Sequence, residues 1–231
     1  MNGEPREMHV SVATGQHTTA LLYSARNVAS RRATLILAHG AGAAQRHPFI
    51  VAFAHGLSER GLDVLTFNFL YTEQHRKVPD RMPQLIVCYR AVIDVAREEI
   101  ASARERLFIG GKSMGGRAAT HVAADDAALT LGGIVLLGYP LHPPGRPDQL
   151  RDAHLSAVGR PMLFVQGTRD TFGTPSELKP ILASLSPMPT LHHVEGGDHS
   201  FKIGGRDARA RQAGVYADIQ DTIAGWIEEL R

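Results

Sequence analysis

Gly111-Lys112-Ser113-Met114-Gly115 sets a serine midway between two glycines, each two residues away. That spacing suits a strand-to-helix turn so tight that the hydroxyl projects outward, while a Cβ at either flanking position would strike backbone. A serine presented this way can attack a carbonyl carbon, provided a base takes its proton and a carboxylate holds the base. Acyl transfer through such a turn runs in the chain order serine, acid, histidine. Asp170, in Gly167-Thr168-Arg169-Asp170, and His199, in Gly196-Gly197-Asp198-His199-Ser200-Phe201, follow in that order. Ser113 is therefore the expected nucleophile, Asp170 the acid and His199 the base. Asp198 is the rival acid, but adjacent residues rarely aim their side chains at each other in the geometry needed. A serine or an aspartate that merely caps the following helix is the plain alternative for Ser113 and Asp170.

The oxyanion formed by attack requires two N–H donors. Met114, directly after the nucleophile, offers one. The other is expected from His39-Gly40-Ala41-Gly42-Ala43, where small residues let backbone approach a substrate; Ala41 is the first choice and Gly42 the second. Substrate contacts are expected from His39, Asn68, Tyr139 and Phe172, with the segments Asn68–Tyr71 and Tyr139–His142 supplying the middle two. His39 has a structural alternative, bonding loop backbone. Gly111-Lys112-Ser113 also ends like a phosphate-binding loop, yet Arg106 stands where that motif needs a glycine. With 12 histidines in the chain, a single one is more often ordinary than functional, and His199 is distinguished by its position. A metal site from His192, His193 and Asp198 lacks recognisable ligand spacing. Arg76 and Lys77 read either as contacts for an acidic substrate or as a solvated loop. The chemistry calls for no metal or organic cofactor, and the lone Cys88 excludes an internal disulfide.

The elements that position these residues follow from hydrophobic periodicity. The runs at 33–38, 64–69, 106–110, 133–137 and 161–166 are apolar at nearly every position, as strands covered on both faces are. Between them 49–60, 83–103, 114–124 and 176–184 carry apolar residues at helical spacing, as Leu85, Val92, Val95 and Ala96 illustrate. This alternation predicts an α/β fold with an open, mostly parallel sheet and helices on both faces. Residues 9–13 and 18–23 predict an edge hairpin, and 190–195 a last strand. Residues 208–230 predict a long amphipathic helix that buries Val215, Ile219, Ile223, Trp226, Ile227 and Leu230. Four prolines make 140–147 a stiff loop. Separations between the three candidate residues leave no room for an inserted lid, so an open cleft bordered by Ala41, Tyr139 and Phe172 is expected.

With 231 residues, 43% hydrophobic, and no repeat or composition break, the chain reads as a single domain over 1–231. A formal net charge of +2 argues against nucleic acid as a partner. No apolar run approaches a membrane span, and Met1–Pro5 lacks the pattern of a targeting signal. A cytoplasmic monomer or small homo-oligomer acting on a small acyl compound is the expectation.

The HGAG loop at 39–42, the GKSMG turn, the GTRD acid loop and the GDHSF histidine loop occur in an order that resembles the α/β-hydrolase superfamily. The resemblance covers nearly the whole chain. It is strongest to the small, lidless, dienelactone-hydrolase-like branch, and within it to a group related to a testis-expressed animal protein and to a subunit of a histone acetyltransferase complex. It implies an eight-stranded, mostly parallel sheet and a Ser-Asp-His hydrolase mechanism. Dienelactone hydrolases use a cysteine at the turn where this chain has Ser113, so their substrate is not implied. The expected function is hydrolysis of carboxylic esters or thioesters of small acyl groups. A non-catalytic scaffold, or an amide or carbon–carbon bond hydrolase on the same fold, are the other readings that the residues leave open.

Overall fold

The computed structural model describes residues 4–26 and 30–230. Met1–Gly3, part of the stretch read for a targeting signal, lies outside the described residues. Strands β1 (Arg6–Ala13) and β2 (Gln16–Tyr23) form the expected hairpin, followed by β3 (Thr34–Ala38), β4 (Asp63–Phe67), β5 (Leu107–Lys112), β6 (Gly133–Leu137), β7 (Met162–Gly167) and β8 (Thr190–Val194). They build one eight-stranded sheet in the order β1-β2-β4-β3-β5-β6-β7-β8. β3 through β8 run parallel, and β2 joins antiparallel to β4. The chain crosses over between β3 and β4 on one side and β5 on the other, so the carboxyl ends of β3 and β5 lie side by side. In open parallel sheets this reversal is where ligand sites gather.

The apolar strands feed two cores because successive side chains point to opposite faces. Leu35 and Leu37 of β3, Val135 and Leu137 of β6, and Leu163 and Val165 of β7 pack beneath α1 (Pro48–Ser58) and α7 (Ala208–Glu229). Ile36 and Ala38, Ile134 and Leu136, and Met162 and Phe164 face the opposite core with α3 (Met82–Glu99), α5 (Met114–Ala124) and α6 (Pro175–Leu182). Ile219, Ile223, Trp226 and Ile227 anchor α7, while Val215, two turns in, and Leu230, just past its end, are half-buried. The single helix expected over 83–103 is two: Ile100 leaves helical backbone (φ −113°, ψ 114°) and drops its side chain into the core, and α4 (Ala101–Glu105) restarts beyond it. The one-turn helix α2 (Leu70–Glu73) and the 3-10 turn Leu155–Ala157 are too short to carry a periodicity. Among the described residues no helix is long and apolar enough to cross a membrane.

Candidate active site

β5 passes into α5 through Ser113, whose backbone (φ 52°, ψ −115°) lies where L-residues are strained by about 1–3 kcal/mol. Its neighbours make the strain tolerable. A Cβ on Gly111 would lie 2.6 Å from the Ala38 carbonyl oxygen, and one on Gly115 would lie 2.6 Å from that of His39. Only glycines let the turn close down on the end of β3. Ser113 N–H donates to the Leu137 carbonyl at 3.0 Å, tying the turn to β6.

From this turn a hydrogen-bond path runs inward. Ser113 Oγ lies 2.9 Å from His199 Nε2, and His199 Nδ1 lies 2.8 Å from Asp170 Oδ2. An ionised carboxylate only accepts, so Nδ1 carries the proton and Nε2 is left to accept from the serine hydroxyl. Asp170 is 1% exposed, yet its oxygens are occupied: Gln166 Nε2 donates to Oδ2 at 2.8 Å and the Phe172 N–H donates to Oδ1 at 2.8 Å. Gln166 also donates to the Gly173 carbonyl at 2.6 Å and accepts from the Tyr139 N–H at 2.8 Å. Thr174 and Glu177 then close a capping box at the start of α6, fixing the far end of the acid loop. The Phe172 ring lies 4.2 Å from the imidazole of His199 and covers one of its faces.

Ser113 is partly exposed on the floor of a cleft of about 430 Å³. Ala41, Gly42, Met114 and Phe172 line it. Met114 is the first residue of α5, so its N–H has no partner within the helix. Three residues expected to touch substrate do not line this cleft. His39 is fully buried; its Nδ1 donates to the Gly40 carbonyl at 2.8 Å and its Nε2 accepts from the Phe69 N–H at 3.2 Å. Burial lowers its pKa to about 4, so it is a neutral brace for the loop. Asn68 accepts from Gln45 N–H and donates to Glu73 at 2.8 Å, tying the end of β4 to α2. Tyr139 is 1% exposed, its ring against Phe164 and its hydroxyl donating to the Arg151 carbonyl; Pro140 takes its place in the cleft wall. In the flanking segments, His142 turns inward to Glu177 at 3.2 Å and Tyr71 is buried. Among the described residues no three His, Cys, Asp or Glu side chains converge on a metal site, and His192 instead pairs with Asp218 at 3.4 Å. Cys88 is buried in α3, and burial pushes its thiol up to about 12.

Four residues at the site escaped the sequence reading. Gln166 is the polar side chain ending β7's apolar run, a visible signal. Lys112, at the end of β5, is 8% exposed; burial lowers its pKa to about 8, and the nearby Asp170 and Asp198 carboxylates oppose that shift. Arg117 stands four residues after Ser113, one turn up α5, and so faces the same cleft. Arg151, from the loop after β6, carries no local signal at all.

The sequence family described as an alpha/beta hydrolase domain matches residues 31–228. The chain belongs to the alpha/beta hydrolase domain family. Solved structures agree on the fold. A serine hydrolase without lid from Xanthomonas campestris superposes with a TM-score of 0.74 at 21% identity, covering 98% of this chain and 96% of that one. A dienelactone hydrolase from Anabaena variabilis gives 0.70 at 21% identity, covering 97% of each chain. Est1E from Butyrivibrio proteoclasticus gives 0.70 at 15% identity, covering 94% of this chain and 99% of its own. This α/β hydrolase, like the first of these, has no large insertion above its sheet.

Proposed function

We propose that this α/β hydrolase cleaves carboxylic esters or thioesters of small acyl groups through an acyl-enzyme on Ser113. The observation that carries the reading is the unbroken hydrogen-bond path from Ser113 Oγ through His199 to the buried Asp170, opening on a cleft. His199 Nε2 takes the hydroxyl proton as Oγ attacks the carbonyl carbon, and Asp170 holds the imidazole and stabilises its charged form. The tetrahedral oxyanion accepts from the Met114 N–H and from that of Ala41, or else Gly42. His199 then protonates the departing alcohol or thiol. In the second half, the same imidazole deprotonates water, which cleaves the acyl-enzyme. An open cleft of this volume buries little of a long chain, and each buried methylene adds only about 0.8 kcal/mol, which favours short acyl groups. The reading places the chain in the lidless, dienelactone-hydrolase-like branch, with a serine for the cysteine.

The test is rapid-mixing kinetics with p-nitrophenyl esters of increasing chain length. A burst of p-nitrophenol equal to the enzyme concentration is expected with short esters, and its loss in Ser113→Ala. Undiminished turnover by Ser113→Ala would overturn the mechanism. A kcat/KM that climbs steadily to the longest chain would overturn the substrate size.

A further inference from the structure

The walls of the cleft are strongly one-sided in charge. Lys112, Arg117 and Arg151 line it, and among the described residues no aspartate or glutamate does. Lys112 is answered from below by Asp170 and Asp198. The two arginines are not answered. Neither guanidinium has a hydrogen-bond or ion-pair partner among the described residues, and Arg117 Nε is buried without one. Exposed arginines such as Arg81, Arg146 and Arg169 also lack a side-chain partner among the described residues, but there water solvates them; Arg31, which is partly buried, pairs with Glu228 at 2.8 Å, Arg60 with Asp221 at 2.7 Å and Arg90 with Asp126 at 3.0 Å. Burial disfavours the charged form of Arg117, the Tyr139 hydroxyl opposes that, and Arg151 is close enough to add its own repulsion. Their placement is nonetheless fixed. Arg117 rides on α5 one turn from Ser113, and Arg151 is held by its N–H to the Leu141 carbonyl at 2.8 Å and by the Tyr139 hydroxyl on its own carbonyl at 2.6 Å. Asp152, next in the chain to Arg151, interacts with the Tyr139 hydroxyl, as both arginines do, but bonds to neither of them. Two half-buried guanidiniums held together without a bonded carboxylate make a binding site for an oxyanion, whose paired oxygens match the guanidinium fork.

We infer that Arg117 and Arg151 form an oxyanion subsite beside Ser113, and that the compound hydrolysed carries a carboxylate or phosphate close to its scissile carbonyl. The inference rests on the reading of Ser113 as the acyl acceptor and narrows its substrate class. It gives a reason for the cationic wall that ester hydrolysis alone does not require. The bound anion cancels the repulsion between the arginines and orients the carbonyl over the nucleophile.

The experiment compares matched esters. Mono-p-nitrophenyl adipate places a carboxylate on the acyl side, 4-hexanoyloxybenzoate places it on the leaving group, and p-nitrophenyl and phenyl hexanoate are their neutral counterparts. At least one charged ester is expected to exceed its neutral counterpart in kcat/KM by about tenfold or more, the worth of one hydrogen bond to a charged group. Raising the salt concentration lowers that ratio. Arg117→Gln and Arg151→Gln each collapse the ratio, Arg117→Lys keeps part of it, and Arg146→Gln, on the same loop but away from the cleft, keeps all of it. Turnover of neutral esters with no preference for either charged one overturns the subsite and leaves the hydrolase reading standing. Binding of monomethyl adipate to Ser113→Ala, followed by NMR, tests the subsite without turnover. The Arg117 and Arg151 side-chain signals are expected to shift, and inorganic phosphate to compete if a phosphate is accepted as well. Signals that stay fixed overturn the inference even if no ester is cleaved. Absence of turnover and of any Ser113 adduct counts against the hydrolase reading instead.

Discussion

Two loops at the carboxyl edge of the sheet each bring an aspartate near His199, and they spend it differently. The loop after β7 buries Asp170 and gives both its oxygens to partners, one of them an imidazole from another loop. The loop after β8 leaves Asp198 exposed, and its Oδ1 accepts from its own chain, from Ser200 N–H at 2.7 Å and Lys202 N–H at 2.9 Å. Asp198 thereby folds the backbone that carries His199, whereas Asp170 orients the ring itself. The same side chain, on the loops after two neighbouring strands, holds an imidazole in one place and forms a turn in the other. Burial and the direction of its bonds make the difference, since a carboxylate sheltered from water interacts far more strongly with an imidazolium than an exposed one does.

Substituting each aspartate by asparagine breaks the comparison most sharply. Asp170→Asn is expected to lower kcat on ester substrates by about 10⁴-fold, the scale seen when such a carboxylate becomes an amide. Asp198→Asn is expected to keep at least about one-tenth of kcat, because an amide oxygen still accepts both backbone N–H groups. Steady-state kinetics with circular dichroism on both proteins check this, and the reverse ranking would exchange the roles of the two loops.

The next effect is on stability. Gln166→Leu leaves the Gly173 carbonyl and Asp170 short of a buried donor, and about 3 kcal/mol of unfolding free energy is expected to go with it. Denaturant melts compare it with Asp198→Ala, whose turn is exposed and whose loss is expected to stay near 1 kcal/mol. Equal losses would mean that the two loops are equally rigid.

Lys112 faces both aspartates and so reports on each. Its folded pKa is about 8 against an ordinary 10.5, because burial disfavours the ammonium. Between those values the unfolded chain holds a proton that the folded chain has released, so stability rises with pH across that window. The slope is at most about 1.4 kcal/mol per pH unit, and Lys112→Met is expected to flatten it. Removing an anion lowers a lysine pKa further. NMR titration is therefore expected to show a larger drop for Lys112 in Asp170→Asn than in Asp198→Asn, since Asp170 opposes the burial effect more strongly.

Chain order and glycine spacing were enough to mark Ser113, Asp170 and His199 as neighbours, because a strand-end position already restricts a residue to one edge of the sheet. The same logic expected Tyr139 and Asn68 at the cleft, which neither of them lines. Strand ends bring residues to the edge, but whether a side chain then points into the cleft or back under the sheet depends on the next few backbone angles. Tyr139 follows Gly138 (φ 64°) and turns inward to Phe164, leaving the wall to Pro140. The strands were legible because both faces are buried and nearly every residue is apolar. The break at Ile100 was not, since the helical period runs through it unchanged. Arg117 could have been found from its four-residue offset to Ser113. Arg151 could not, because tertiary contacts between Tyr139 and the loop bring it to the site.

The most direct test of the account is the site of reaction with a fluorophosphonate probe, located by mass spectrometry of the intact and digested protein. One adduct per chain, on the peptide containing Ser113, is the expected result, with strong suppression in Asp170→Asn and none formed in Ser113→Ala. Labelling that persists in Ser113→Ala, or ester turnover by a protein whose Ser113 stays unmodified, would contradict it.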